Sequence, residues 1–267
     1  MSARPLLGVV HLRALPSAAR HRSMAEVLEA ALVDAEAYAA GGCDGLVIEN
    51  FGDAPFHRGT ADDPVPPDVV AGLAVVGDRL QRATGLPLCV NCLRNDGAAA
   101  LGIAAVLGAR WVRVNVLTGA YVTDQGVIAG EAARLSAYRR QLGTETQILG
   151  DFLVKHAAPL APLDVAAGAR DLAERSGAAG LVLSGARTGE AVGVELLDTV
   201  RAAVGAFPIW LGAGLSADNA AALWSRCDGA IVGSWCKIDG RVGNPVDSAR
   251  VRRLRQACPP EPRRHDS

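Results

Sequence analysis

Short apolar runs alternate with alanine-rich amphipathic stretches along the whole chain. The apolar runs predict strands at Leu6–Val10, Leu46–Ile48, Leu86–Val90, Trp111–Val116, Gln147–Phe152, Leu181–Ser184, Ile209–Leu211 and Ala230–Val232. Helical patterns fall between them at Met24–Ala40, Pro67–Thr84, Gly97–Gly108, Gly130–Leu142, Leu163–Ser176, Val194–Val204 and Ala217–Arg226, and Val246–Ala257 follows the last strand. Alternation of this kind predicts a parallel sheet, and eight repeats favour closure into an α/β (β/α)8 TIM barrel over an open doubly wound sheet. Gly41-Gly42, Gly85, Gly108, Gly143, Gly177 and Gly205 stand where helices should end on a left-handed residue. Ser23 is placed to cap the first helix, with Glu26 as its capping-box partner.

The 267 residues suit one barrel, a fold of about 250 residues, so positions 1–258 are assigned to a single domain and 259–267 to an unpacked tail. Half the chain is hydrophobic and 21% charged, which fits a large sheet buried on both faces. A formal net charge of −1 leaves no overall basic footprint for a nucleic-acid polymer. With no signal-like start and no apolar run of about 18 residues, membrane insertion is not expected and the cytosol is the expected compartment. Six cysteines are scattered, and Cys89-Val90-Asn91-Cys92 has no second pair to complete a zinc site, so reduced, buried thiols are expected.

Near the end, the run to Leu211 enters Gly212-Ala213-Gly214, and the run to Val232 enters Gly233-Ser234. In a barrel these loops follow the last two strands. Glycines there let backbone N–H groups approach an anion, and a helix start adds a favourable dipole. Gly212, Ala213, Gly214, Gly233 and Ser234 are therefore the predicted phosphate site.

Catalytic groups of such barrels gather at the C-terminal ends of the strands. Polar residues there include His11, Glu49, Asn50, Asp53, Asn91, Arg113, Asn115, His156, Ser184, Thr188 and Gly189. Only two lysines occur in the chain, Lys155 and Lys237, and both follow predicted strands. A lysine can lose its proton when desolvated, form a Schiff base or bind phosphate as a compact charge, none of which arginine does as well. If the fifth strand continues, Asp151, Leu153 and Lys155 share a face. Glu49, Asp151 and Lys155 are then the catalytic candidates, and the others, with Lys237, the substrate-binding ones. No cofactor is required, although Asp151, Glu49 and His11 offer the mixed ligands that a divalent metal ion takes. The long connection from Asn50 to Pro66 has the length of a lid or binding loop.

Several blocks together resemble the BtpA family, which includes the SgcQ-type proteins: His11-Leu12, Gly42-Cys43-Asp44-Gly45, Glu49-Asn50-Phe51-Gly52-Asp53-Ala54-Pro55-Phe56, Arg113-Val114-Asn115, Lys155-His156-Ala157, Ser184-Gly185 with Thr188-Gly189, and Asp228-Gly229-Ala230-Ile231-Val232-Gly233-Ser234 with Lys237. The resemblance spans nearly the whole chain and implies a barrel related to the ribulose-phosphate-binding barrels. Ala213 departs from it, since serine is more usual there in the family. The family's name-giving members are linked to photosystem I accumulation, and SgcQ-type members look like parts of carbohydrate gene clusters. Two functions are thus expected as alternatives. One is an enzyme acting on a phosphorylated sugar or nucleotide-like metabolite by aldol-type cleavage, isomerisation or glycosyl transfer, as a monomer or homo-oligomer. The other is a non-catalytic assembly or stability factor for photosystem I or another complex.

Overall fold

Buried apolar runs need partners for both edges, and here every one of the eight finds two. The computed structural model, which describes residues 4–185 and 190–260, has β1 (Leu6–His11), β2 (Gly45–Glu49), β3 (Leu88–Asn91), β4 (Trp111–Val114), β5 (Ala120–Thr123), β6 (Gly126–Ala129), β7 (Gln147–Phe152), β8 (Ala157–Pro159), β9 (Gly180–Leu183), β10 (Ile209–Leu211) and β11 (Gly229–Val232). Eight of these close a parallel barrel in the order β1-β11-β10-β9-β7-β4-β3-β2. Closure is carried by β1, which pairs Leu6 with Ala230 on one side and His11 with Glu49 on the other. The expected (β/α)8 fold is the observed one.

Helices α1 (Met24–Gly41), α2 (Pro67–Thr84), α3 (Gly97–Leu107), α4 (Ala132–Leu142), α5 (Val165–Arg175), α6 (Val194–Val204), α7 (Ala220–Leu223) and α8 (Ser248–Ala257) lie between and after the strands. Their apolar faces bury against the outward strand residues in one continuous core. Of the glycines foreseen as helix stops, Gly42, Gly85, Gly108, Gly143, Gly177 and Gly205 adopt positive φ, from 59° at Gly205 to 90° at Gly42, while Gly41 is the last residue of α1. Ser23 Oγ accepts from the Glu26 N–H, as expected of a cap, while the Glu26 carboxylate pairs with Arg13.

Two features differ from the sequence reading. The segment after β4 folds β5 and β6 into an antiparallel hairpin that β8 joins as a third strand. Tyr121 and Ile128 bury with Val116 and Val154, while their neighbours Val122 and Val127 face outward. Four-residue strands separated by turn residues carry too little periodicity to stand out in the sequence. The helix expected over Ala217–Arg226 is cut to one turn at Ala220–Leu223 and a 3-10 turn at Trp224–Arg226.

Lys237, expected among the binding residues, does not line the main cavity at the barrel mouth. It is 2% exposed, and its ammonium meets the Asp34 carboxylate of α1 while Asp34 Oδ1 accepts from the Val246 N–H at 2.8 Å. The pair fastens the segment after β11 to the outer helix layer, 203 residues away in sequence. Lys237→Met should strand the Asp34 charge in the interior and cost about 3 kcal/mol in urea unfolding. A loss below about 1 kcal/mol would show that the tie contributes little.

Candidate functional site

Side chains of a strand alternate between lumen and helix layer. Inside the barrel, Val9, Val47, Cys89, Trp111, Leu149, Val182, Trp210 and Ile231, with Leu7 as a second residue from β1, form an apolar plug to which every barrel strand contributes, with Trp111 and Trp210 edge to face at 5.9 Å. Two residues further along each strand stands the next inward position. Those eight are His11, Glu49, Asn91, Arg113, Asp151, Ser184, Gly212 and Gly233. The lumen thus changes from wholly apolar to polar or glycine in one step, at the C-terminal end where barrel chemistry is done.

The polar layer is tied together. Arg113 Nε and Nη2 donate to the two Asp151 oxygens at 2.7 and 2.9 Å, both side chains being nearly fully buried. Burial disfavours the guanidinium's charge, but Asp151 more than offsets this and holds Arg113 above its ordinary pKa. Asn115 donates to Asp151 Oδ2 at 3.0 Å and accepts from Asn91, which also donates to the Arg113 carbonyl. Asp151 is therefore held by three donors and bound to Arg113 through both oxygens. Arg113, Asn91 and Asn115 likewise form the floor of the site.

Glu49 and Lys155 are different. Neither side chain makes a hydrogen bond among the described residues. Burial raises the Glu49 pKa, with Arg113 and Lys155 opposing. Burial and then Arg113 lower Lys155 to about 8, with Asp151 and Glu49 opposing. Lys155 does not share a strand face with Asp151: β7 stops at Phe152, and Leu153 and His156 take φ of 58° and 54°, so the lysine arrives from a turned loop. His11 stacks edge-on against Phe51 at 5.0 Å, and burial, then Lys237, Lys155 and Arg113, hold its imidazole neutral with a pKa of about 3. His11 Nδ1 and Ser184 Oγ are buried without a hydrogen-bond partner among the described residues.

These groups open into a cavity of about 280 Å³ lined on one side by Val9, His11, Glu49, Phe51, Arg113 and Lys155, and on the other by Gly212–Ser216, Asn219 and Gly233–Trp235. The backbone N–H groups of Ala213, Gly214, Ser234 and Trp235 have no acceptor among the described residues, whereas Gly212 N–H is used by Leu183. Asn219 braces the first loop, donating to the Gly214 carbonyl and accepting from the Ser216 N–H, both at 2.8 Å. The glycines have packing reasons of their own. A Cβ at Gly212 would stand 2.5 Å from Ser184 Oγ, one at Gly233 2.7 Å from the His11 ring, and one at Gly214, where φ is 76°, 2.1 Å from the Glu190 carbonyl oxygen.

Three expected contacts lie elsewhere. Asn50 is buried and holds the neighbouring loop, donating to the Leu93 carbonyl and accepting from the Leu93 N–H. Asp53 accepts from the Leu15 N–H at 2.7 Å and from Asn50. Both shape the rim and do not line the main cavity. His156 is exposed and lines a side compartment with Arg94 and Phe56. Thr188 and Gly189 lie outside the described residues. The strand-end rule passes over Phe51 and Trp235, which line the main cavity. A phenylalanine 38% exposed directly after the polar pair Glu49-Asn50 is the signal that marks the first.

Among the described residues no group of three metal-ligating side chains comes together, and no helix is long and apolar enough to cross a membrane. All six cysteines are free and buried.

Comparison with known proteins agrees with this architecture. The chain is 13% identical to thiamine phosphate pyrophosphorylase from Pyrococcus furiosus, with a TM-score of 0.58 and 96% of each chain covered. Against orotidine 5'-phosphate decarboxylase from Pyrococcus horikoshii it is 12% identical, with a TM-score of 0.60, covering 95% of this chain and 98% of the other. At such identities the likeness is one of fold. Photosystem I biogenesis protein BtpA of Synechocystis is 42% identical over 248 residues, 92% of this chain and 85% of that protein. With the family's sequence model matching residues 2–259 as well, the chain belongs to the BtpA family.

Proposed function

We propose that the barrel mouth is the active site of an enzyme acting on a phosphorylated sugar or nucleotide-like metabolite. One observation carries this reading: a single cavity joins open backbone N–H groups at Ala213, Gly214, Ser234 and Trp235 to Glu49 and Lys155, two ionisable side chains with no hydrogen bond among the described residues. The phosphate belongs on the N–H groups. Its anchoring there does not depend on a helix dipole, because α7 has only four residues.

The pKa values of Glu49 and Lys155 move toward each other, which is how two groups come to share proton transfer near neutral pH. Near pH 8 part of the Lys155 population is an unprotonated amine, able to take a proton from a substrate carbon or hydroxyl, or to attack a carbonyl. Glu49, with its pKa raised, can hold a proton for delivery to a developing oxyanion. Arg113, locked by Asp151, supplies fixed positive charge beside both. Such a set suits isomerisation, aldol-type cleavage or glycosyl transfer. The cyanobacterial relative's name supports a second reading, an assembly role borne by the outer surface. Substitutions at the mouth separate the two, because a surface role survives them.

Inorganic phosphate and sugar phosphates should raise the melting temperature. At a hundredfold excess over Kd the gain is about 2.7 kcal/mol, or roughly 5–10 °C for a chain of this size. Trp235→Pro, which removes one of the open N–H groups, should reduce that rise, and no shift with any phosphate ester would reject the cradle. Reductive ¹³C-methylation reports on at most two lysines, the cavity-lining Lys155 and the buried Lys237. One should titrate near pH 8 and vanish in Lys155→Arg, together with most of the turnover. The folded state binds this proton less tightly than the unfolded chain, so Lys155 costs stability at pH 7, and the cost is relieved as pH rises from about 8 toward 10.5. Lys155→Met should therefore be more stable than the parent at pH 7 and lose that advantage at high pH. An unshifted Lys155 titration would remove its assigned role.

A further inference from the structure

A second, smaller cavity adjoins the main one. This compartment of about 130 Å³ has Glu49, Phe51, Arg113 and Lys155 in its lining in common with it. The two glycine loops line the main cavity and not the compartment, whereas Glu49 and Lys155 line both.

The compartment's walls have distinct chemistry. One wall is the loop after β2, which brings Phe51 and Phe56, two of only four phenylalanines in the chain. Asn50 fixes this loop through Leu93, and the Arg94 N–H donates to the His57 carbonyl at 3.1 Å. The opposite wall is the loop after β7 together with Asp124 from the β5–β6 turn. Arg94 spans the two. Its Nη2 donates to the Lys155 carbonyl at 2.7 Å and its Nε lies 3.9 Å from Asp124 Oδ1. Arg94 is only 8% exposed, so its guanidinium is held in place at the compartment wall. A guanidinium carries five N–H donors, which leaves Arg94 donor capacity for a ligand's acceptor atoms.

Two phenyl side chains with a buried fork of donors match a planar heteroaromatic ring that carries acceptor atoms on its edge.

From this we infer that the mouth takes a nucleoside 5'-monophosphate, with its phosphate on the loops after β10 and β11 and its base in the compartment lined by Phe51, Phe56 and Arg94. The inference rests on the phosphate reading of the mouth and adds the identity of the second half. It sets the bond between base and sugar beside Glu49 and Lys155, and it makes Arg94 a specificity residue that reads the edge of the ring.

Calorimetric titration of the whole protein separates the parts. The probes are inorganic phosphate, ribose 5-phosphate, a disaccharide monophosphate and the four common ribonucleoside 5'-monophosphates. At least one nucleotide should bind about tenfold or more tighter than ribose 5-phosphate, the worth of one stacked base. Phe56→Ala should remove most of that excess and leave ribose 5-phosphate affinity within about twofold, as expected when stacking alone is lost. Phe56→Leu serves the same purpose if the alanine variant does not fold. Arg94→Lys should narrow the differences among the four nucleotides. If ribose 5-phosphate binds and no nucleotide binds better, or the disaccharide phosphate binds best, this inference is overturned and the phosphate site stands. If neither phosphate nor ribose 5-phosphate binds, both fall. A nucleotide preference that survives loss of Phe56 and change of Arg94 would also overturn it.

Discussion

A closed parallel barrel admits no neutral position for an inward side chain: each must be apolar and packed, polar and paired, or absent. This constraint governs the whole site. The lower layer of the lumen meets it with a plug around Trp111 and Trp210. The upper layer meets it with the bidentate pair Arg113–Asp151, whose charges can be buried only because they saturate one another and because Asn115 and Asn91 extend the network. Where the lumen leaves no room for a side chain, at 212 and 233, the chain has glycine.

Against that network the exceptions stand out, Asn91 Oδ1 within it among them. Glu49 and Lys155 face the same cavity without hydrogen bonds, and His11 Nδ1 and Ser184 Oγ are buried without acceptors or donors among the described residues. Leaving buried polar groups unpaired costs stability. A fold that pairs Arg113 and Asp151 so completely, a few ångströms away in the same layer, had the means to pair these also. Such local cost is expected where the missing partners arrive with a ligand.

The rim is built by a different device. Asn50 and Asp53 look chemical from their position after a strand, but both hold backbone: one clamps the Leu93 peptide and the other caps the Leu15 N–H. Lys237 is drawn outward by Asp34 in the same manner. Residues just past strand ends therefore divide into those aimed along the inward alternation, which reach the cavity, and those in the following turn, which fasten loops. Lys155 crosses that division, since left-handed residues at 153 and 156 bring it back over the mouth.

The sequence by itself determined the barrel. Apolar runs of strand length, amphipathic stretches between them and glycines at helix ends are local signals, each sufficient where it stands, because backbone geometry and burial act on near neighbours. It also located the mouth, since strand ends and the two glycine turns can be read from order alone. The inserted hairpin was not legible, its strands being too short for a period to show. Nor could the sequence separate Lys155 from Lys237, or reveal that Asp151 spends both oxygens on Arg113. Those outcomes depend on contacts between residues 38 and 203 positions apart. Only the closed barrel brings such partners together, and only then does the competition for each charge have an answer.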